Sequence, residues 1–555
     1  MPVVGRGGDV SDALTGPADA SAGLVVHGAD PVDRSAPASV RQALVAGGVP
    51  ARLAAQDPTL WGPAAEATAR TRLGWLDTHR RSVELLPQLA ELGAELGDLD
   101  HVVVAGMGGS SLAAEVVTRA LGRPLTVLDT TDAGQVRRAL TDRLDRTVVV
   151  LAGKSGRTVE TDSHWRVYRQ AFLDSGLTAA EAGRHFVVVT DPGSPLEAVA
   201  AELGAVTVPA DPRVGGRYAA LTAFGLVPAA LAGVAVDELL EQAEALAASL
   251  GRDADNPGLA LGAALGAAAT GGRDKVALVP DGTGLDGLGD WIEQLLAEST
   301  GKAGLGLLPV VLESPTAPGG AGPDVLTVSY GGSLAPGAVP GAGRAPDVAV
   351  NGPLGAQFLT WEYATAIAGV TLGVNPFDQP AAEGGEQAER FLASAAPAGP
   401  PSSTEGAIEV YAPAGGPADL AGALRQLVDG IDAGGYLAVL AYLDRIGDAD
   451  VAGLRALLAG LTARPVTFGW GPRYLHATGQ YHKGGPQVGS FLQLTGTVGD
   501  DLPVPGKPYS LGRLQEAQAA GDRRALARRG RPVLRLHLTD RSAGVAQLLD
   551  AARQL

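Results

Sequence analysis

The sequence predicts an α/β protein built on two doubly wound, mostly parallel sheets, with helical decorations at both ends. Three observations carry that reading. Short runs of branched apolar residues recur at HVVVAG (101–106), LTVLDTT (125–131), TVVVLAG (147–153) and HFVVVTDPG (185–193), separated by helical stretches, as expected of strands buried on both faces. A second series begins near Asn256, with KVALVPDG (275–282), GLLPVVLES (305–314) and DVLTVSYGG (324–332). At 555 residues the chain is also too long for one ordinary hydrophobic core.

Taken in order, residues 1–37 are rich in Gly, Ala, Asp and Pro and read as a loosely ordered lead-in. Residues 38–97 space their apolar side chains by three and four, which predicts amphipathic helices packed on a later sheet. Residues 98–255 form the first domain and 256–555 the second, which carries a C-terminal extension; no convincing repeat relates the two. The Gly/Pro-rich stretches 313–349 and 395–406 read as surface loops or a linker. YLAVLAYL (436–443) and RPVTFGWG (464–471) are expected to return to the second sheet, followed by an amphipathic helix over 511–530 and a last strand at PVLRLHL.

Composition narrows the chemistry. There is no cysteine, so disulfides, thiolate metal sites and cysteine nucleophiles are excluded. A formal charge of −17 opposes nucleic-acid binding, although a small anion can still bind where a few cations and N–H groups converge. No window approaches a membrane span, and the start of the chain lacks a signal-peptide pattern, so a cytoplasmic location is expected. No clustered His and carboxylate spacing suggests a metal ligand set. Lysines are rare: Lys154, Lys275, Lys302, Lys483 and Lys507 are the only ones.

The strand HVVVAG runs into Gly106, Met107, Gly108, Gly109, Ser110 and Ser111 and then a helix-like stretch. Such a turn aims N–H groups and a helix dipole at an anion. Three readings stand: a phosphate site, a dinucleotide site with Asp129 as the ribose-binding acid, or a purely structural turn; Ser111 in place of a third glycine weakens the second. The next strand but one ends in Lys154, Ser155, Gly156, Arg157 and Thr158, again opening a helix. Ends of parallel strands lie side by side, so the two hydroxyl-bearing loops can face one small ligand.

The stretches GMGGSSLAAE, GKSGRTVET, VGGRYAALTAFGL (214–226), WIEQLLAESTGK (291–302), NPFDQP (375–380) and TGQYHKGGP (478–486) occur in the order seen in the glucose-6-phosphate isomerase family. The chain resembles its bacterial, transaldolase-fusion type, without the transaldolase half. The resemblance implies a pair of sugar-isomerase (SIS-type) domains, a homodimer, a small sugar-phosphate substrate and no cofactor. It also implies interconversion of glucose 6-phosphate and fructose 6-phosphate through a cis-enediol.

Residue by residue, Gly108, Gly109, Ser110, Lys154, Ser155 and Thr158 resemble the phosphate-binding set, and Glu298 the base that moves a proton between C2 and C1. Gln294 lies four residues before Glu298, on the same helical face. Arg217 is similar to the arginine beside the developing enediolate, and His482 to the histidine that opens the sugar ring. Gln379 resembles a substrate-touching glutamine. Seven residues later Glu386 stands where the family usually has a lysine, and Lys483 is expected to substitute for it. The alternatives are a sugar-phosphate-binding protein with impaired turnover and an isomerase of another sugar phosphate such as mannose 6-phosphate.

Overall fold

The computed structural model describes residues 19–21, 23–28, 37–335, 345–380, 392, 399–413, 415–417 and 419–555. Asp19–Ser21 (β1) and Leu24–His27 (β2) pair as an antiparallel hairpin. They lie inside the stretch expected to be a loose lead-in. Leu24 and Val26 alternate inward and are fully buried, which binds the hairpin to a sheet edge.

The first sheet holds His101–Ala105 (β3), Thr126–Leu128 (β4), Thr147–Ala152 (β5), Phe186–Thr190 (β6) and Val206–Pro209 (β7), all parallel, in the order β4-β3-β5-β6-β7. Strands β3, β5 and β6 are buried at every residue, so their valine runs do not alternate. The order reverses between β3 and β5. The loops leaving their C-terminal ends therefore diverge to opposite faces and open a crevice.

The second sheet takes Lys275–Pro280 (β8), Leu308–Val311 (β9), Val325–Gly331 (β10) and Val348–Asn351 (β11) in parallel and closes its edge with the β1–β2 hairpin, in the order β1-β2-β11-β10-β8-β9. Strands β10 and β11 lie within or at the end of the Gly/Pro-rich stretch 313–349.

The strands expected to return to this sheet do not. Tyr436–Tyr442 (β14) pairs in parallel with Val466–Trp470 (β15) on one side and Gly489–Gly496 (β16) on the other, so both of its edges are occupied. With Val533–Leu538 (β17) and the antiparallel hairpin Ser403–Glu405 (β12) and Ile408–Tyr411 (β13), they make a third sheet, β12-β13-β17-β16-β14-β15. It repeats the strand order of the second sheet, hairpin included. Ala277, Val279, Leu308 and Val310 of the second sheet share one apolar cluster with Tyr436, Ala438, Leu440 and Phe491 of the third, which packs the two together. Among the described residues no helix is long and apolar enough to cross a membrane.

Candidate active site

The register of β3 against β5 places the 106–111 turn beside the 153–158 turn, as the strand order requires. Their contact is close: a Cβ at Gly106 would lie 2.6 Å from the Ala152 carbonyl oxygen. Gly109 is more constrained, since its Cβ would fall 1.9 Å from the Gly216 carbonyl oxygen, so only glycine lets this turn reach the Gly216–Arg217 turn. Ser110 is buried, and the Thr158 side chain makes no capping bond to the Val159–Asp174 helix that it opens, leaving its hydroxyl for other use. Ser155 Oγ accepts from Arg157 N at 3.3 Å, and Arg157 itself is exposed. Lys154 is already matched: its Nζ lies 2.6 Å and 2.8 Å from the Asp191 carboxylate oxygens and 3.1 Å from the Asp211 carbonyl oxygen. Burial pushes its pKa down against those partners.

Across this crevice runs the Leu288–Thr300 helix, with Gln294 and Glu298 one turn apart on its buried face. Glu298 is 5% exposed. Its Oε2 lies 3.2 Å from Arg217 Nε and 3.4 Å from Gln294 Nε2, while Oε1 bonds to none of the described residues. Burial pushes the carboxyl up in pKa; the charges of Arg217, His476 and Lys302 only partly offset it. Gln294 Nε2 also donates to the His476 carbonyl oxygen at 2.9 Å, and its Oε1 is buried with no partner among the described residues.

Arg217 is held by backbone carbonyls, donating to that of Glu298, to Pro376 at 3.1 Å and to Asp378 at 3.2 Å. Lys302, four residues beyond Glu298, clamps the same NPFDQP loop through Asn375 and Asp378, with Nζ 2.6 Å from Asp378 Oδ1. Burial and Arg217 bring its pKa down to about 7. Gln379, on that loop, is exposed. Glu386 lies outside the described residues.

The connection between β15 and β16, from Arg473 to Lys483, closes the remaining side. Arg473 bonds to Glu115 and Asp129, each at 2.6 Å, and approaches Asp290 at 3.6 Å. Asp129, the ribose acid of the dinucleotide reading, is thus 2% exposed and already paired. His476 Nε2 lies 3.5 Å from Glu160 Oε1, and its Cβ would be 3.2 Å from a Cβ at Gly108. Burial of the imidazole lowers its pKa, but Glu160, aided by Glu298, outweighs that and the net direction is up. For Glu160 burial works upward, and the hydrogen bond and charge of His476, with smaller help from the Glu160 N–H and His164, turn the net direction down.

His482, six residues on, points elsewhere. Its Nδ1 is 2.9 Å from the Tyr436 hydroxyl, its ring packs on Phe491, and burial pushes its pKa down to about 3. Lys483 Nζ pairs with buried Asp522 at 2.8 Å. Among the described residues no group of three or more His, Asp or Glu side chains is spaced to hold a metal ion.

The structure therefore brings Gly108, Gly109, Ser110, Gln294, Glu298 and Arg217 together, and sets the Lys154–Thr158 loop beside them. It adds His476, Glu160 and Lys302, which the sequence reading did not single out. Glu160 and Lys302 stand inside quoted motifs, and His476 two residues before one, so proximity along the chain was the available signal.

A family model described as phosphoglucose isomerase matches residues 80–316. A glucose-6-phosphate isomerase of Rubrobacter xylanophilus is 31% identical over 377 residues, covering 56% of this chain and 85% of that protein. A probable glucose-6-phosphate isomerase of Haloarcula marismortui is 37% identical over 224 residues, 39% of this chain and 50% of that one; the chain spans about half the length of such first-ranked curated relatives. The fold is similar to that of a Chlamydia trachomatis glucose-6-phosphate isomerase, with a TM-score of 0.55 at 20% identity over 69% of this chain and 91% of that one. With six of its family-like residues gathered in one crevice and most of a 31%-identical relative spanned, this chain belongs to the phosphoglucose isomerase family.

Proposed function

We propose that the chain interconverts glucose 6-phosphate and fructose 6-phosphate in the cytoplasm. The observation that carries this is Glu298: a buried carboxylate of raised pKa, with one oxygen held by Arg217 and Gln294 and the other without a partner among the described residues, beside two hydroxyl-bearing loops at a sheet switch point. The phosphate sits on the N–H and hydroxyl groups of Gly108, Gly109, Ser110, Ser155 and Thr158, with Lys154 contributing through a charge that Asp191 already balances. Glu298 Oε1 takes the proton from C2 and returns it to C1. Arg217 stabilises the negative oxygen of the enediolate between those two transfers. Gln294 Oε1 accepts a hydrogen bond from a sugar hydroxyl.

Ring opening needs a group that exchanges protons near neutrality. His476 suits this better than His482, because it lies beside Gly108 and keeps its basicity through Glu160, whereas His482 is neutral and bonded to Tyr436. Lys483 supplies the cation that Glu386 does not.

The test is conversion of fructose 6-phosphate to glucose 6-phosphate, coupled to a dehydrogenase, with Glu298→Gln beside the wild type. Turnover that falls by about two or more orders of magnitude in the variant supports both the reaction and the base. Turnover unaffected by the change removes Glu298 from the role.

A further inference from the structure

The segment that carries His476 belongs to the third sheet, and residues 403–555 lie beyond the stretch 80–316 that the family model covers. Its attachment to the first sheet's site is specific. On the Leu511–Arg528 helix, Gln518 donates from Nε2 to Glu160 Oε1 at 2.6 Å and accepts at Oε1 from the Thr131 hydroxyl at 2.8 Å. Both ends of the amide are used, which fixes its orientation. The oxygen it holds is the one that His476 Nε2 faces. One turn further, Asp522 forms an ion pair with Lys483 at 2.8 Å and accepts from the Tyr474 hydroxyl at 2.5 Å. One face of one helix thus anchors both candidate groups of the Arg473–Lys483 segment.

Resting on the isomerase reading above, we infer that the third sheet completes the site in cis, and that Gln518 is the positioning residue that fixes Glu160 and, through it, the acid–base imidazole of His476. In ring opening the imidazolium gives its proton to the ring oxygen as the C1–O bond of the ring breaks, and the imidazole so formed takes the proton of the anomeric hydroxyl as the C1 carbonyl forms, so the histidine ends as it began. Without Gln518 the Glu160 carboxylate keeps its charge but loses its fixed direction, and His476 loses the anion that holds its proton.

The first measurement is the NMR titration of His476 in the full-length chain, which stands whether or not the protein turns over. Glu160→Gln is expected to lower the His476 pKa by about one unit. Gln518→Leu is expected to lower kcat by about tenfold with KM within about twofold, and to narrow the pH profile on its alkaline side. Should Gln518→Leu fail to fold, Gln518→Glu adds an anion beside Glu160 and is expected to raise the His476 titration. An unshifted titration in both Glu160→Gln and the Gln518 variant overturns the positioning role.

The cis claim is read separately, by co-expressing Glu298→Gln chains with His476→Asn chains. A site made by one chain leaves the mixture as inactive as either variant; recovery of about a quarter of wild-type activity means that a partner copy supplies the histidine, and overturns it. Absence of turnover in the wild type sinks the isomerase reading while leaving the titration result intact.

Discussion

The three sheets reverse strand order in the same way, yet among the described residues only the first has no carboxylate in the two turns that frame its crevice. In the second sheet the turn after β8 carries Asp281, which accepts from Thr283 N at 2.9 Å, the Thr283 hydroxyl at 2.6 Å and Asn351 Nδ2 at 2.8 Å. In the third, the turn after β14 carries Asp444, which accepts from Ile446 N at 2.9 Å, Gly447 N at 3.0 Å and Arg138. Each carboxylate occupies the donors that a bound anion would need. The corresponding turn after β3 reads Gly-Met-Gly-Gly-Ser-Ser, and the turn after β5 Gly-Lys-Ser-Gly-Arg-Thr; neither has an acid. Topology supplies such a crevice three times, and side-chain choice leaves its framing turns without an acid once.

The contrast predicts its own reversal. Ser110→Asp puts a carboxylate into the turn that follows β3. Repulsion between it and a phosphate dianion is expected to weaken sugar-phosphate binding by roughly 10²–10³-fold, the effect of about 3–4 kcal/mol, with Tm within a few degrees of the wild type. Isothermal titration with fructose 6-phosphate checks it, and binding unchanged from wild type would place the phosphate elsewhere. Removing the plug acts oppositely. Asp281→Ala strands the Thr283 donors and the fully buried Asn351 amide and is expected to cost about 2–3 kcal/mol of stability in chemical denaturation while leaving KM unchanged. A raised KM at unchanged stability would make the second crevice a ligand site as well.

How legible this was depended on which physics governed each element. The valine runs of β3, β5 and β6 announce themselves because strands covered on both faces need continuous apolar sequence. Gln294 and Glu298 were placed on one face by helical spacing alone, and the structure keeps them 3.4 Å apart. The third sheet was not legible as a separate layer. β14 and β15 read correctly as strands, but a run of apolar residues does not state its partner, and β16, whose Gln493 and Thr495 break the apolar run, went unread. His482 was placed by its motif, and no local pattern shows that it turns toward Tyr436. His476 acquires its surroundings from Glu160 and Gln518, 316 and 42 residues away in the chain.

The two histidines sharpen the comparison between crevice and core. His482 is 3% exposed and remains neutral until its folded pKa of about 3, while in the unfolded chain it titrates near the ordinary value of about 6.5. Its folded pKa is the lower one, so the unfolded state binds more protons throughout that interval. Stability attributable to this residue is therefore complete above about pH 6.5 and is lost as the pH falls toward 3, by up to about 1.4 kcal/mol per unit. Urea unfolding at pH 7 and pH 5 is expected to show a smaller stability difference for His482→Gln than for the wild type, by about 1–2 kcal/mol. An equal difference would mean that the ring is protonated in the folded protein.

Lys483 gives the smallest effect and tests the substitution that the sequence raised. Its ammonium is paired with Asp522, which is 5% exposed, so truncation removes a cation from the site and strands a buried anion beside Tyr474. Those consequences separate experimentally. If Lys483 serves only to neutralise Asp522, then Lys483→Ala loses stability, and Lys483→Met with Asp522→Asn, which removes the pair together, restores both Tm and turnover. If the ammonium also serves the sugar, the paired variant recovers Tm but keeps a kcat/KM about tenfold below wild type. We expect the second outcome, because Lys483 is near enough to oppose the protonation of His476, a group placed beside Gly108 and Gln294 rather than in the core of the third sheet.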